Sequence, residues 1–163
     1  MTNQNTAEQK IIKKKVMIDS KADLVWYAWT KSDRVSQWFA GKAIVEPEVG
    51  GKYELYFEPG NEVGNCTKGC TIIGLEPFKS LSFTWKGPDP LAELMNQSSK
   101  LTEVNVTLQE IGEQTEVTVT HTGWGEGQEW QRAIDWHVMA WDQVLSSLKS
   151  ALEAGEGELC CQP

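Results

Sequence analysis

The segment Val25–Ala40, VWYAWTKSDRVSQWFA, places two aromatic-rich helical patterns near the start of the chain. Asp19 and Ser20, with Asp23 three residues after the serine, predict a capped helix start. The apolar positions that follow lie on one helical face: Ala22, Val25, Trp26 and Trp29. Ser32 predicts the start of a second short helix, whose apolar positions are Val35, Trp38 and Phe39. Two consecutive amphipathic helices therefore turn their aromatic side chains mostly one way, into a core, a pocket wall or a docking surface.

The segments on either side of these helices have strand character. Gln9–Ile18 is rich in β-branched residues. From Gly41 to Thr122, apolar and polar residues alternate, and short turns such as Gly50-Gly51 separate the runs. Glu54 and Glu58 fall between apolar positions, which predicts that they face water. Because no crossover helices separate the runs, we expect a curved antiparallel sheet of six or seven strands.

The segment Glu126–Leu152 has the pattern of one long helix. Its apolar stripe consists of Trp130, Ala133, Ile134, His137, Trp141, Val144, Leu145, Leu148 and Leu152. Glu126 and Glu129 suit the first turn, and Gly155 is a stop signal. An antiparallel sheet with one wet face needs a cover on the other face, and this helix supplies one. The sequence therefore predicts an α+β fold in which the sheet grips a long C-terminal helix, with two short helices after the first strand.

The composition excludes several classes of function. The 163 residues include 23 acidic and 15 basic side chains, a formal net charge of -8. This balance argues against nucleic-acid binding and against a polybasic membrane anchor. The run Lys13-Lys14-Lys15 lies in a predicted strand, where protection of a sheet edge explains it better than a binding patch. MTNQNTAEQK lacks a signal-peptide core, and no apolar run reaches the roughly 20 residues of a membrane span, so we expect a cytoplasmic protein without membrane insertion.

The cysteines do not form a recognisable metal motif. They are Cys66, Cys70, Cys160 and Cys161. This spacing differs from usual zinc sites, and an extended 66–70 segment would separate its two cysteines too widely for a disulfide. A metal site between the tail and the hairpin is a minor alternative. We expect no metal or cofactor, and mostly reduced thiols.

Five stretches together resemble one known family. They are VWYAWTKSDRVSQWFA (25–40), EVGGKYEL (48–55), GCTIIGLEPFKSLSFTW (69–85), TEVTVTHTGW (115–124) and AWDQVLSSL (140–148). The family comprises proteins similar to the C-terminal domain of the heat-shock-protein-90 ATPase activator, within the START-like, birch-pollen-allergen-like (SRPBCC) superfamily. The resemblance covers residues 9–152 as a single helix-grip domain, with 1–8 and 153–163 as flexible termini. Where the family commonly has Gly-Trp, this chain has Ala140-Trp141, which predicts a changed packing distance between helix and sheet.

The resemblance implies a deep apolar cavity between the sheet and the last helix. Superfamily members bind lipids, polyketides, hormones or other apolar molecules there, and a minority catalyse cyclisation or hydrolysis. The residues that we expect to bind a ligand are Trp38, Phe39, Phe57, Phe83, Trp85, His137 and Trp141. The irregular segment Gly87–Lys100, with Leu91, Leu94 and Met95, is a candidate mobile flap at the cavity mouth.

The two histidines are the candidates for acid–base chemistry. His137 lies on the inner stripe of the last helix, where a buried ring bonded to a backbone carbonyl or water is favoured over one that orients a ligand. His121 ends a strand, and we expect it to be structural. The sequence contains no hydrolase, zinc-protease, phosphate-loop or dinucleotide motif, so we expect no catalytic residue.

Three hypotheses for the function follow from these patterns. The favoured one is a module that encloses a small apolar or amphipathic ligand between the sheet and the last helix. The second, which the resemblance implies, is a co-chaperone-like domain that binds a chaperone and stimulates its ATPase. The third is a cyclase- or hydrolase-type enzyme that uses His137.

Overall fold

The computed structural model describes residues 10–58 and 60–154. In chain order the elements are β1 (Ile12–Ile18), α1 (Ala22–Thr30), α2 (Ser32–Trp38), β2 (Lys42–Val45), β3 (Tyr53–Tyr56), β4 (Ile72–Glu76), β5 (Ser80–Trp85), a 3-10 turn (Asp89–Leu91), α3 (Ala92–Met95), β6 (Thr102–Ile111), β7 (Gln114–Thr122) and α4 (Gln128–Glu153). The predicted flexible termini are 1–8 and 153–163, of which residues 1–8 and 155–163 lie outside the described residues. Glu153, which we expected in the flexible tail, is the last residue of α4.

Five strands form one antiparallel sheet in the order β1-β7-β6-β5-β4, and β2 pairs with β3 in a second ladder. A bridge between Lys52 and Thr71 joins the two ladders. Beside it, the Tyr53 N–H donates to the Cys70 carbonyl at 2.9 Å. The predicted antiparallel sheet of six or seven strands is confirmed, with its hydrogen bonding interrupted between β3 and β4, where the chain folds into a loop.

Burial alternates along β6 and β7, as the period of two predicts. Val104 and Val106 on β6, with Val117 and Val119 on β7, form the centre of the buried face. Gly112 makes the turn between the strands at φ 66°, a left-handed conformation that glycine adopts at little cost. The sheet therefore has one apolar face and one polar face.

The start of α1 differs from the predicted capping box. The helix begins at Ala22, and its N-cap is Lys21, which makes no side-chain capping bond. Ser20 precedes it, and its carbonyl accepts a bond from the Thr115 hydroxyl at 2.7 Å. The free N–H of Ala22 donates instead to a carboxylate oxygen of Glu110, from β6, at 3.1 Å. A tertiary contact thus replaces the local cap, because the sheet holds Ser20 outside the helix.

The aromatic residues of Val25–Ala40 mostly form core. Trp26 and Trp29 are buried, as predicted, and the ring of Trp29 meets that of Trp38 edge-on at 4.8 Å. The indole N–H of Trp38 donates to the Ala28 carbonyl at 2.8 Å, which locks α2 against α1. Phe39, at the end of α2, connects this cluster to the long helix, because its ring contacts that of Trp141.

The long helix α4 lies against β1, α1 and α2. Its C-terminal half is tied down by polar contacts: Lys149 donates to the Met17 carbonyl at 2.6 Å, and Ser147 donates to the Trp38 carbonyl at 2.9 Å. The predicted stop residue Gly155 lies outside the described residues. Because the helix is held at the β1 side of the sheet, space remains between it and the ends of β3 and β5.

The prediction that Glu54 faces water is wrong. All four residues of β3 are buried, because the loop after the strand folds over its outer side. The Glu54 carboxylate accepts bonds from the Tyr56 hydroxyl at 2.8 Å and from the Gly69 N–H at 2.9 Å. These donors compensate the buried charge. Glu58 is exposed, as predicted.

The segment Gly87–Lys100, the candidate flap, packs against the core of the protein. The Asn96 amide exchanges two hydrogen bonds with the backbone of Gly87, at 2.8 and 3.2 Å. Met95, proposed for the flap, is fully buried, while Leu91 and Leu94 are half-buried against the core. The beginning of the segment, and not its helical part, reaches the cavity.

Candidate ligand-binding cavity

A cavity of about 400 Å³ lies between α4 and the ends of β3 and β5. Its lining comes from the end of α2, the segment after β3, the end of β5 with the residues that follow it, and α4. The end of α2 supplies Phe39, and one flank of α4 supplies Trp136, Ala140 and Val144, among others. The complete lining is Phe39, Phe57, Glu58, Asn65, Cys66, Trp85, Lys86, Gly87, Pro88, Trp136, His137, Ala140, Trp141, Gln143 and Val144.

Trp85 is the centre of the aromatic wall. Its indole stacks on Phe39 with ring centres 5.9 Å apart, and it meets Trp141 at 5.6 Å and Phe57 at 6.3 Å. Phe57 and Trp136 are the more exposed members, at 39% and 48%, so they form the rim. We call this space, with the lining given above, the aromatic cavity.

Most of the residues expected at a binding site meet here. The structure brings Phe39, Phe57, Trp85, His137 and Trp141 to the wall of the aromatic cavity. Two expected residues lie elsewhere. Trp38 is buried behind Phe39, and Phe83 is buried against Tyr53, with ring centres 4.0 Å apart. Both face the packed core, because the sheet and α2 turn them away from the gap beside α4.

Both ring nitrogens of His137 are engaged. Nδ1 lies 2.8 Å from the Ala133 carbonyl, which can only accept, so Nδ1 carries the proton. Nε2 then accepts a bond from the indole N–H of Trp85 at 3.1 Å. Burial lowers the pKa of His137 from 6.5 to about 4, against a smaller opposing effect of the bond to Ala133. The ring is therefore neutral at physiological pH.

His121 holds the second cavity tryptophan in the same way. Its Nδ1 accepts a bond from the indole N–H of Trp141 at 3.0 Å. Its Nε2, which then carries the proton, donates to the Thr102 hydroxyl at 2.8 Å. Burial lowers the pKa of His121 well below its ordinary value, and the neighbouring His137, 5.3 Å away between ring centres, lowers it further.

The paired histidines fix the orientation of the two indoles in the cavity wall. Each ring uses one nitrogen as donor and the other as acceptor, so neither His121 nor His137 has a free lone pair for proton transfer. The interpretation favoured for each histidine, a buried ring with internal partners, agrees with this geometry. His137 also lines the cavity, and its expected role in ligand binding stays a prediction. Sequence reasoning missed that Trp85 and Trp141 are their partners, because the four residues come from three separate elements.

Several lining residues were also missed. Trp136, Ala140 and Val144 follow an i, i+4, i+8 row of α4 that runs beside the core stripe, and of these only Val144 was assigned to the stripe. The regular spacing of these three residues along the helix was the signal in the sequence that could have identified them. Ala140 lies on the cavity wall, so the departure from Gly-Trp adds its methyl group to the cavity and not to a close helix–sheet contact.

The described residues contain no group of three His, Cys, Asp or Glu side chains that could hold a metal ion. Cys66 and Cys70 are free thiols, and burial raises the pKa of Cys70 to about 11. Cys160 and Cys161 lie outside the described residues. The minor prediction of a metal site at the tail therefore stays a prediction. Within the described residues, no helix is both long and apolar enough to cross a membrane.

A curved antiparallel sheet around a long C-terminal helix, with an aromatic cavity between them, defines the START-like helix-grip class of proteins. Within that class, the sequence profile of the Activator of Hsp90 ATPase homolog 1-like proteins matches residues 19–153. The chain belongs to this family, which confirms the resemblance seen in the sequence.

Solved structures show the same fold. The Aha1 dimer from Colwellia psychrerythraea is 24% identical with a TM-score of 0.71, and the match covers 91% of this chain and 99% of that one. DynU16 from the dynemicin biosynthetic locus is 22% identical with a TM-score of 0.69, over 90% of this chain and 48% of that one. PFC0360w, described as an HSP90 activator from Plasmodium falciparum, is 16% identical with a TM-score of 0.63, over 87% and 95%. No protein of curated function matches the sequence significantly.

Proposed function

We propose that the protein binds a small, largely apolar ligand in the aromatic cavity. The observation that carries this proposal is a gap of about 400 Å³ whose walls include Phe39, Trp85 and Trp141. That size falls within the range of about 300–1,000 Å³ typical of small-molecule sites. An apolar molecule that covers these rings gains roughly 25 cal/mol for each Å² removed from water.

Preorganisation of the wall supports binding further. The bonds from Trp85 to His137 and from Trp141 to His121 satisfy the indole N–H groups inside the protein. The faces of the rings are thus presented to the cavity without an unsatisfied donor, and they need little reordering when a ligand enters. Less ordering means a smaller entropic cost of association.

The same bonds argue against the enzyme hypothesis that uses His137. Proton transfer by this ring would require it to give up either the Ala133 carbonyl or the Trp85 indole. Its low pKa, about 4, also makes it a weak base near neutral pH. A binding module accounts for the arrangement without these costs.

A second candidate function is binding of a chaperone partner. The family is named for activators of the Hsp90 ATPase, and one structural neighbour is described as such an activator. The helix α4 exposes two large apolar side chains, Trp136 at the rim of the aromatic cavity, 48% exposed, and Met139, 66% exposed. Stimulation of an Hsp90 ATPase that is lost in the variant Met139→Ser would support this role, and absence of stimulation by the wild-type protein would contradict it.

A neutral fluorescent probe tests the proposed ligand site. Phenylnaphthylamine brightens in apolar surroundings, and we expect it to bind the wild-type protein saturably at one site. Ala140→Trp places an indole in the aromatic cavity and should weaken binding at least about tenfold, or 1.4 kcal/mol. Ser146→Trp adds the same ring on the exposed side of α4 and should leave binding unchanged. Equal binding by both variants would contradict the proposal, provided circular dichroism shows both folded.

A further inference from the structure

A second, more polar space of about 350 Å³ lies beside the aromatic cavity. We call this space the polar cavity; it is lined by Glu62, Val63, Asn65, Cys66, Lys68, Lys86, Gly87, Asp89, Ala92 and Asn96. Asn65, Cys66, Lys86 and Gly87 line both spaces. The two cavities therefore adjoin along these four residues, which we call the neck.

The carboxylates around the polar cavity are already engaged. Glu62 accepts a hydrogen bond from Lys42 at 2.8 Å, and this bond, with the charges of Lys42 and Lys68, lowers the pKa of Glu62. Asp89 is turned into the loop beside Gly64, where it accepts a bond from the Asn65 N–H at 2.8 Å. The Asp89 N–H returns a bond to the Asn65 side chain at 2.8 Å.

The carboxylate at the rim of the aromatic cavity is held in the same manner. Glu58 accepts a bond from the Asn61 amide at 2.8 Å. The side-chain amide of Asn96, which lines the polar cavity, is hydrogen-bonded to the backbone of Gly87. The acidic and amide groups therefore have internal partners that keep them from serving as the main recognition groups.

The two lysines of the polar cavity, unlike these groups, keep hydrogen-bond donors available. Lys86 donates to the Lys68 carbonyl at 2.6 Å, an uncharged acceptor that leaves two of the three ammonium protons available. Neither Lys68 nor Lys86 forms an ion pair among the described residues. The bond also ties the ammonium of Lys86 to the backbone at residue 68, which places positive charge at the neck. An ammonium held in this way favours an oxygen anion as its partner.

We propose that the ligand is an amphipathic molecule with an anionic head, such as a carboxylate, sulfonate or phosphate, bound by Lys86 and Lys68 while its apolar body fills the aromatic cavity. This inference rests on the proposed function and adds the chemical class of the ligand and its direction in the site. The head lies in the polar cavity, on the far side of the neck from the aromatic rings. The order of the walls, first aromatic and then polar with two lysines that form no ion pair among the described residues, matches the order of groups in such a molecule.

Two probes that share one scaffold separate this inference from the proposed function. Phenylnaphthylamine is neutral, and anilinonaphthalene sulfonate adds a sulfonate to the same ring system. In Lys86→Met, which keeps an unbranched apolar side chain, the sulfonate probe should bind about tenfold more weakly, or 1.4 kcal/mol, because one charge-assisted contact is lost. Binding of the neutral probe should not change. Lys68→Met should show the same selective loss to a smaller degree, because this side chain is exposed.

The matched control is Lys79→Met, in the turn between β4 and β5, where the lysine is 72% exposed and away from both cavities. It should bind both probes as the wild type does. The inference is overturned if Lys86→Met and Lys68→Met both keep wild-type affinity for the sulfonate probe, or if Lys79→Met weakens it equally. In either case Ala140→Trp still reports on the proposed function. If wild-type protein binds neither probe, the proposed function and this inference fall together.

Discussion

Lowering the pH from about 7.5 to about 5.5 should destabilise the protein through its two buried histidines. In the folded state the pKa of His137 falls from 6.5 to about 4, and that of His121 falls well below 6.5, mainly because burial disfavours the charged ring. In the unfolded chain both rings titrate at ordinary values. The unfolded state therefore binds more protons below about pH 6.5, and the stabilising contribution of the neutral rings, complete above that pH, is lost as the pH falls.

The size of the effect follows from the protonation of the unfolded chain. Between about pH 7.5 and 5.5, each histidine that stays neutral in the fold lowers the free energy of unfolding by about 1.4 kcal/mol. Two rings give about 2.7 kcal/mol, which for a chain of this size corresponds to a fall of roughly 5–11 °C in the melting temperature. The pKa values of Glu62 and Glu153 lie below 4.5, so these groups titrate mainly below the chosen window.

Urea unfolding at several pH values, followed by tryptophan fluorescence, measures this dependence. His137→Gln and His121→Gln each remove one titrating ring and should each halve the pH dependence, whatever their absolute stability. A surface control, Lys13→Gln, should leave the dependence intact, because this lysine is exposed. If either histidine variant keeps the full wild-type pH dependence, the reasoning about that ring is refuted.

Three further predictions concern single sites. Arg34 is 4% exposed, and its Nε and Nη1 have no acceptor among the described residues. Arg34→Met should therefore raise the free energy of unfolding by about 1 kcal/mol. A lower free energy of unfolding, measured in urea, would show that Arg34 has an unrecognised partner. Glu110→Gln weakens the tertiary cap on the Ala22 N–H and should cost about 1 kcal/mol, whereas the exposed Glu113→Gln should cost almost nothing; equal costs would contradict the cap. Cys66 lines the neck between the cavities. In a variant whose other cysteines are serine, saturating phenylnaphthylamine should therefore slow the reaction of Cys66 with a maleimide. An unchanged reaction rate would place the probe elsewhere.

The order and type of the main elements could be predicted from the sequence because each has a strong local period. The alternation along β6 and β7 and the long apolar stripe of α4 both require a buried face, and a sheet and a helix with such faces must pack together. Residues on those faces, such as Trp85 and Trp141, could therefore be expected to face inward. Both line the cavity, and their role in ligand binding stays a prediction.

The remaining features depend on contacts between distant parts of the chain. The predicted cap at Ser20 failed because Glu110, far along the sequence, supplies the acceptor. Glu54 was assigned to solvent because its strand alternates, yet the following loop covers that side. Phe83 and Phe57 share the same strand pattern, and whether a side chain meets core or a gap depends on where the helix lies across the sheet. No local period carries that information.

Indole N–H resonances, observed by NMR during a titration with phenylnaphthylamine, test the central claim most directly. The chain has eight tryptophans, of which Trp85, Trp136 and Trp141 line the aromatic cavity, while Trp26 lies against Phe78 outside it. A bound ligand in the cavity predicts saturable shifts of the three cavity resonances at one molecule per chain, with the Trp26 resonance unmoved. Saturable binding that shifts Trp26 and leaves the three cavity resonances in place would contradict the account.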